Sequence, residues 1–132
     1  MSDSPPSDER AEIREQKAEE LKAKLTSPDE PVHVSGQDEL EEKVQSKPVV
    51  LVDFYADWCG PCKQLAPVIE RLAASTDATV LKVDIDESMD AARAYGVSSV
   101  PTLFLFVDGE PVERLTGFRD EETLRQFVEQ HT

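Results

Sequence analysis

The chain has 132 residues, 28 of them acidic and 14 basic, for a formal net charge of −14 at pH 7. A protein this negative is repelled by phosphate backbones and anionic lipid, which argues against nucleic acid and membrane surfaces as partners. Its two cysteines both lie in one C-x-x-C, and His33 and His131 do not stand at ligand spacing. That excludes a disulfide-stapled secreted scaffold and a self-contained four-ligand zinc site, so no metal is expected.

Residues 1–9 are rich in Ser, Pro and Asp and read as disordered. Residues 10–25 are strong helix formers with opposite charges at helical spacing, such as Glu20 and Lys24. Ile13, Leu21 and Leu25 make only a thin apolar stripe, which predicts a marginal helix. Prolines at 28 and 31 then break the pattern, and the domain boundary is placed there: 1–31 as a charged extension, 32–132 as the domain. The acidic excess is not confined to the extension. Residues 1–30 hold nine acids and five bases, and residues 31–132 hold nineteen and nine. A surface this negative throughout suits salt-rich surroundings, because the Debye length falls to about 3 Å at 1 M. The plainer alternative is an ordinary acidic cytosolic protein. Residues 1–25 lack the apolar core of a signal peptide, and no run approaches ~18 apolar residues, so the expected compartment is the cytoplasm.

From residue 32 the pattern alternates. A short strand is predicted at 32–35, with Ser35 as the cap of a helix over Gln37–Gln45. Val49–Tyr55 is apolar except for Asp53 and reads as a strand buried on both faces. A helix follows over 60–75, with Leu65, Val68, Ile69 and Leu72 at helical spacing and Pro67 expected to kink it. Next come a strand at 79–85, a helix at 87–95 closed by Gly96, and a strand at Thr102–Val107. Asp108-Gly109 signals a hairpin into a strand at 111–116, and Asp120 caps a last helix over 121–130. Strands alternating with helices, then a hairpin, predict an α/β fold: a mixed central sheet flanked by helices on both faces.

The chemistry lies where the buried strand meets the second of these helices. Cys59 falls at a helix N-terminus, where unpaired N–H groups and the macrodipole favour an anion. A thiolate is stabilised there, and the thiolate is the nucleophile. Pro61 costs little in a first turn, because its missing N–H had no intrahelical partner. Cys62 is three residues further on the same face, expected to be the less exposed thiol and to resolve. Asp53 is an acid in an apolar run, rarely tolerated without a partner. It reads either as half of a structural salt bridge or as the group that takes and returns the Cys62 proton.

The segment Asp53-Phe54-Tyr55-Ala56-Asp57-Trp58-Cys59-Gly60-Pro61-Cys62-Lys63 resembles the active-site signature of the thioredoxin family. Lys82-Val83-Asp84, Tyr95-Gly96-Val97, Val100-Pro101-Thr102, Phe104-Leu105-Phe106, Asp108-Gly109 and Gly117 follow in that family's order. The resemblance covers roughly residues 32–131. It implies the thioredoxin fold and a protein-disulfide reductase. In that reading Cys59 attacks, Cys62 resolves, Asp53 is the buried aspartate behind them and Lys82 is its lysine neighbour. Trp58, Gly60, Pro61, Val100, Pro101 and Gly117 contact substrate, with Pro101 in a cis bond. No cofactor beyond the Cys59–Cys62 disulfide is implied. The partners would be disulfide-containing proteins and a thioredoxin-reductase-type donor, met by a monomer. Three positions depart from the pattern. Tyr55 stands where many members carry a second tryptophan. Ser98-Ser99 replace a frequent basic residue and glycine, and Phe118 replaces a frequent small residue.

Two other functions are weighed against a reductase. An oxidant or isomerase fits poorly with Gly-Pro between the cysteines and no histidine there. A docking module with secondary redox activity rests only on residues 1–30.

Overall fold

The computed structural model describes residues 29–132. The helix expected at 10–25 and most of the extension lie outside these residues. The elements run β1 (Val32–His33), α1 (Gln37–Gln45), β2 (Val49–Tyr55), α2 (Gly60–Ser75), β3 (Thr79–Asp84), α3 (Met89–Ala94), β4 (Thr102–Val107), β5 (Glu110–Thr116) and α4 (Glu121–Glu129). They form one five-stranded sheet in the order β1-β3-β2-β4-β5. β1, β3 and β2 pair in parallel, and β4 and β5 continue antiparallel. This is the thioredoxin fold with the expected mixed sheet.

β2 is central and nearly all of it is buried. Its side chains alternate between two cores, as a pleated strand requires. Val49 and Leu51 join Leu65, Ile69 and Leu72 of α2 and Leu124 and Val128 of α4. Val50, Val52 and Phe54 join Leu40 and Val44 of α1 and Ala91 of α3. The helices therefore cover both faces of the sheet.

Several turns are closed by the residues expected to close them. Gly96 takes φ 65° after α3. Its N–H donates to Arg93 O, and that of Val97 donates to Ala92 O, the Schellman pattern that satisfies the last carbonyls of a helix. Asp108 and Gly109 both have positive φ, 51° and 84°. These are the angles of a two-residue type I′ hairpin, whose twist matches the flanking strands. Asp120 accepts from Thr123 N–H at 2.9 Å and caps α4.

Other boundaries differ. Ser35 does not cap α1; Gly36 does, at φ 88° and without a side-chain cap. The free donors of that end are met from outside: Ser88 Oγ accepts from Gly36 N–H at 2.8 Å, and Asp90 Oδ2 from Gln37 N–H at 3.0 Å. Ser35 Oγ instead donates to Glu87. β1 ends at His33, before the chain turns at Gly36. α3 starts two residues later than expected, because a turn intervenes in which Ser88 N–H donates to Asp84 O at 2.8 Å. α2 runs through Pro67 as one helix of 16 residues.

Candidate active site

A tight turn carries the chain from β2 into α2, with Cys59 N–H donating to Ala56 O at 3.2 Å. Cys59 is the N-cap of α2, and its Sγ accepts from Cys62 N–H at 3.1 Å. The helix end thus points a donor at the sulfur expected to carry charge. Gly60 and Pro61 fill the first turn, exposed to solvent. Cys59 and Cys62 are joined by a disulfide with Cα atoms 5.3 Å apart, a separation that suits the bond without backbone movement. The expected contrast in burial is absent, since each cysteine is 4% exposed. Both cysteines share a small buried cluster with Ala56, against which Tyr55, Ile85 and Val100 pack.

Two further loops meet the disulfide. The Val100–Pro101 peptide bond is cis, and Val100 O lies 3.6 Å from Cys59 Sγ. Pro101 O accepts from Gly117 N–H at 2.8 Å, which ties the third loop to the second. Gly117 has φ 92°, a conformation that suits glycine. Beside these loops stand two exposed aromatic residues, Trp58 at 68% and Phe118 at 42%. Trp58 is not loose: its Nε1–H donates to Asp86 Oδ2 at 2.8 Å. Asp86 escaped the sequence reading, because no spacing links a loop residue after β3 to one before α2.

Asp53 lies beneath this surface, 1% exposed, on the sheet face that α2 covers. Its Oδ1 has no hydrogen-bond partner. Burial pushes its carboxyl up to about 7, against a smaller downward pull from Lys82. Burial disfavours the charged form, and an ammonium nearby favours it. Lys82 is the cross-strand partner of Asp53 in the β2–β3 register. A cavity of about 130 Å³ is lined by Cys62, Lys82, Tyr55 and Ala66 among others. It runs between Cys62 and Lys82. A larger hollow of about 510 Å³ beyond Lys82, bordered by Asp29, Glu30 and Glu70, reaches neither cysteine. Among the described residues, no group of three or more His, Cys, Asp or Glu is placed to hold a metal ion. No helix among them is long and apolar enough to cross a membrane.

A redox-active cysteine pair at a helix N-terminus, on a mixed sheet of this topology, defines a thiol–disulfide oxidoreductase that works through its own disulfide. The thioredoxin family model matches residues 31–130, and the chain belongs to the thioredoxin family. A thioredoxin of Chlamydia muridarum is 48% identical over 101 residues, 76% of this chain and 98% of its own. Among solved structures, a mutant thioredoxin from Halobacterium salinarum NRC-1 is similar at 55% identity and TM-score 0.78. The match covers 81% of this chain and 95% of that one. The thioredoxin of Fasciola hepatica matches at 35% identity and TM-score 0.72, over 76% of this chain and 99% of that one.

Proposed function

We propose that this chain reduces the disulfides of protein substrates, with Cys59 attacking, Cys62 resolving and Asp53 moving the proton between the two steps. The observation that carries the reading is the Cys59–Cys62 disulfide at the start of α2, with the buried Asp53 carboxyl on the sheet face that this helix covers.

The chemistry balances as two exchanges. The Cys59 thiolate attacks one sulfur of the substrate disulfide, that bond breaks, and the other substrate sulfur leaves as a thiolate. Cys62 then passes its proton to the Asp53 carboxylate and attacks Cys59 Sγ. The intramolecular disulfide forms and the second substrate sulfur leaves, taking a proton. The substrate has gained two electrons and two protons: the first thiolate takes its proton from water, and the second takes the one that Cys62 gave to Asp53. Trp58, Gly60, Pro61, Val100, Pro101 and Gly117 form the surface that holds the substrate chain, and Lys82 stands as the cross-strand neighbour of Asp53. The oxidised pair is recycled by a separate thioredoxin-reductase-type protein, because the sequence carries no G-x-G-x-x-G dinucleotide fingerprint.

On the same reading the chain works as a monomer in the cytoplasm, with residues 1–31 outside the redox domain. The surface is taken as salt-adapted. The net charge of −14 supports that, as does the likeness to a Halobacterium salinarum protein.

The test is trapping. Cys62→Ser should accumulate mixed disulfides with substrate, and Cys59→Ser should trap none. Release by Cys62→Ser at the parental rate would overturn the role assignment. A glutathione redox titration tests the direction of transfer. Thioredoxin itself sets the reductant standard at about −270 mV, and a result near about −120 mV would mark an oxidant.

A further inference from the structure

His33, Lys82 and Asp53 are register partners across β1, β3 and β2. Their side chains therefore form a transverse row on one face of the sheet. Tyr55 lies two residues beyond Asp53 on the same strand and so on the same face. Electrostatics alone would pair Lys82 with its buried neighbour. Yet no ion pair joins them among the described residues, and Asp53 Oδ1 has no hydrogen-bond partner. The Lys82 Nζ instead lies 4.4 Å from the centroid of the Tyr55 ring. That is within the ~6 Å over which a ring face attracts an ammonium.

The ring is held in turn. Tyr55 Oη and His33 Nδ1 lie 3.4 Å apart, and the two rings meet edge to face at 6.2 Å. Tyr55 and Lys82 share a wall of the 130 Å³ cavity with Cys62, a space large enough for water.

We propose that Tyr55 is a positioning residue for the resolving step: its ring holds the Lys82 ammonium off the Asp53 carboxyl, beside the chamber that Cys62 lines. The proposal rests on the reading of Asp53 as the proton acceptor. A close Lys82–Asp53 ion pair would fix the carboxylate in its charged form and weaken it as a base. With the ammonium on the ring, the carboxyl keeps the raised affinity for a proton that burial confers.

Other charges stand around Tyr55 and Lys82. Asp84 lies at the end of β3, Asp57 in the loop after β2, and Glu87 in the turn before α3. Lys63 and Glu70 face them from α2, and Asp29 and Glu30 from the segment before β1. None of these acids closes an ion pair with Lys82, and exposed charges act weakly through salt water. The ring face is the contact on which the placement of Lys82 depends.

The experiment titrates the Asp53 carboxyl by ¹³C NMR in the oxidised full chain, in Tyr55→Leu, Tyr55→Phe and the parent. It also measures the rate of mixed-disulfide release against pH. Tyr55→Leu should lower the Asp53 midpoint by about one pH unit or more, the scale of a carboxylate gaining a close cation. The rise of the release rate should move to lower pH with it. Tyr55→Phe keeps the ring, loses only the hydroxyl contact with His33 Nδ1, and should retain the parental midpoint. If Tyr55→Leu does not fold, Tyr55→Met removes the ring with a smaller change in shape and is read the same way. A parental midpoint in the ring-free variant, or an equal shift in Tyr55→Phe, overturns the proposal and leaves the Asp53 reading standing. Release at the parental rate in Asp53→Asn removes the Asp53 reading itself and the proposal with it.

Discussion

Val50, Val52 and Phe54 project from β2 toward α1 and α3, while Val49, Leu51, Asp53 and Tyr55 project toward α2 and α4. The first side is apolar along its whole length. Phe54 meets Phe104 edge to face at 5.6 Å and Tyr95 at 6.1 Å. The second side begins as an aliphatic core and then changes character at Asp53, where the strand passes under the cysteine-bearing helix. One strand thus holds the molecule together on one face and supplies a titrating group on the other. The difference teaches where cost is tolerated: a buried carboxyl with an unpaired oxygen lowers stability, and it sits on the face that adjoins the disulfide.

Truncating the apolar face should break the fold without touching the chemistry. Phe54→Ala removes a fully buried ring and should cost about 3–5 kcal/mol of stability, read from denaturant melts. The exchange rate of the molecules that remain folded should not change. Loss of rate out of proportion to the folded fraction would mean that the two faces are not separable.

Asp53→Asn should have the opposite sign. In the folded chain the carboxyl titrates at about 7, against an ordinary value of 3.8. Between those values the folded state holds a proton that the unfolded state releases, so the parent loses stability as pH climbs from about 4 to about 7. The variant has no such loss. Its advantage should be smallest near pH 4, widen through pH 7 and then level off, reaching a few kcal/mol at about 1.4 kcal/mol per unit. Urea melts at a series of pH values check this. A gap independent of pH would mean that Asp53 titrates normally.

The smallest effect concerns neither face of β2 but the outer surface of both layers. Self-repulsion at −14 weakens folding in dilute buffer. The melting temperature should rise steadily from low salt to molar KCl, by about 4–8 °C for each kcal/mol recovered. A flat or falling trend would leave the acidic surface without a role in salt adaptation.

The two faces also differ in how far the sequence reveals them. The apolar run of β2, the helical spacing of Leu65, Val68, Ile69 and Leu72, and the turn residues Gly96 and Asp108-Gly109 each act locally, so their elements were legible. Asp53 was conspicuous because an acid interrupts a run that otherwise asks only for burial. The cap of α1 was misread because its partners, Ser88 and Asp90, lie about 50 residues away in the chain. Equal burial of the cysteines was missed because the cover over Cys59 comes from Val100, distant in sequence. The hold of Asp86 on Trp58 and of Tyr55 on Lys82 likewise joins residues that no periodicity connects. Local signals placed the cysteines; the contacts among the residues around them depend on how the sheet and its loops come together.

The central claim is that the buried carboxyl serves the second exchange and not the first. The most direct test is stopped-flow release of a preformed mixed disulfide on Cys59, in the parent and in Asp53→Asn, from pH 6 to 8. The account predicts release at least ten-fold slower in the variant at pH 7, at the lower edge of the roughly 10²–10⁴ expected of general-base help, with the initial attack by Cys59 changed far less. Parental release rates across that range would contradict it and leave Asp53 as a structural neighbour of Lys82.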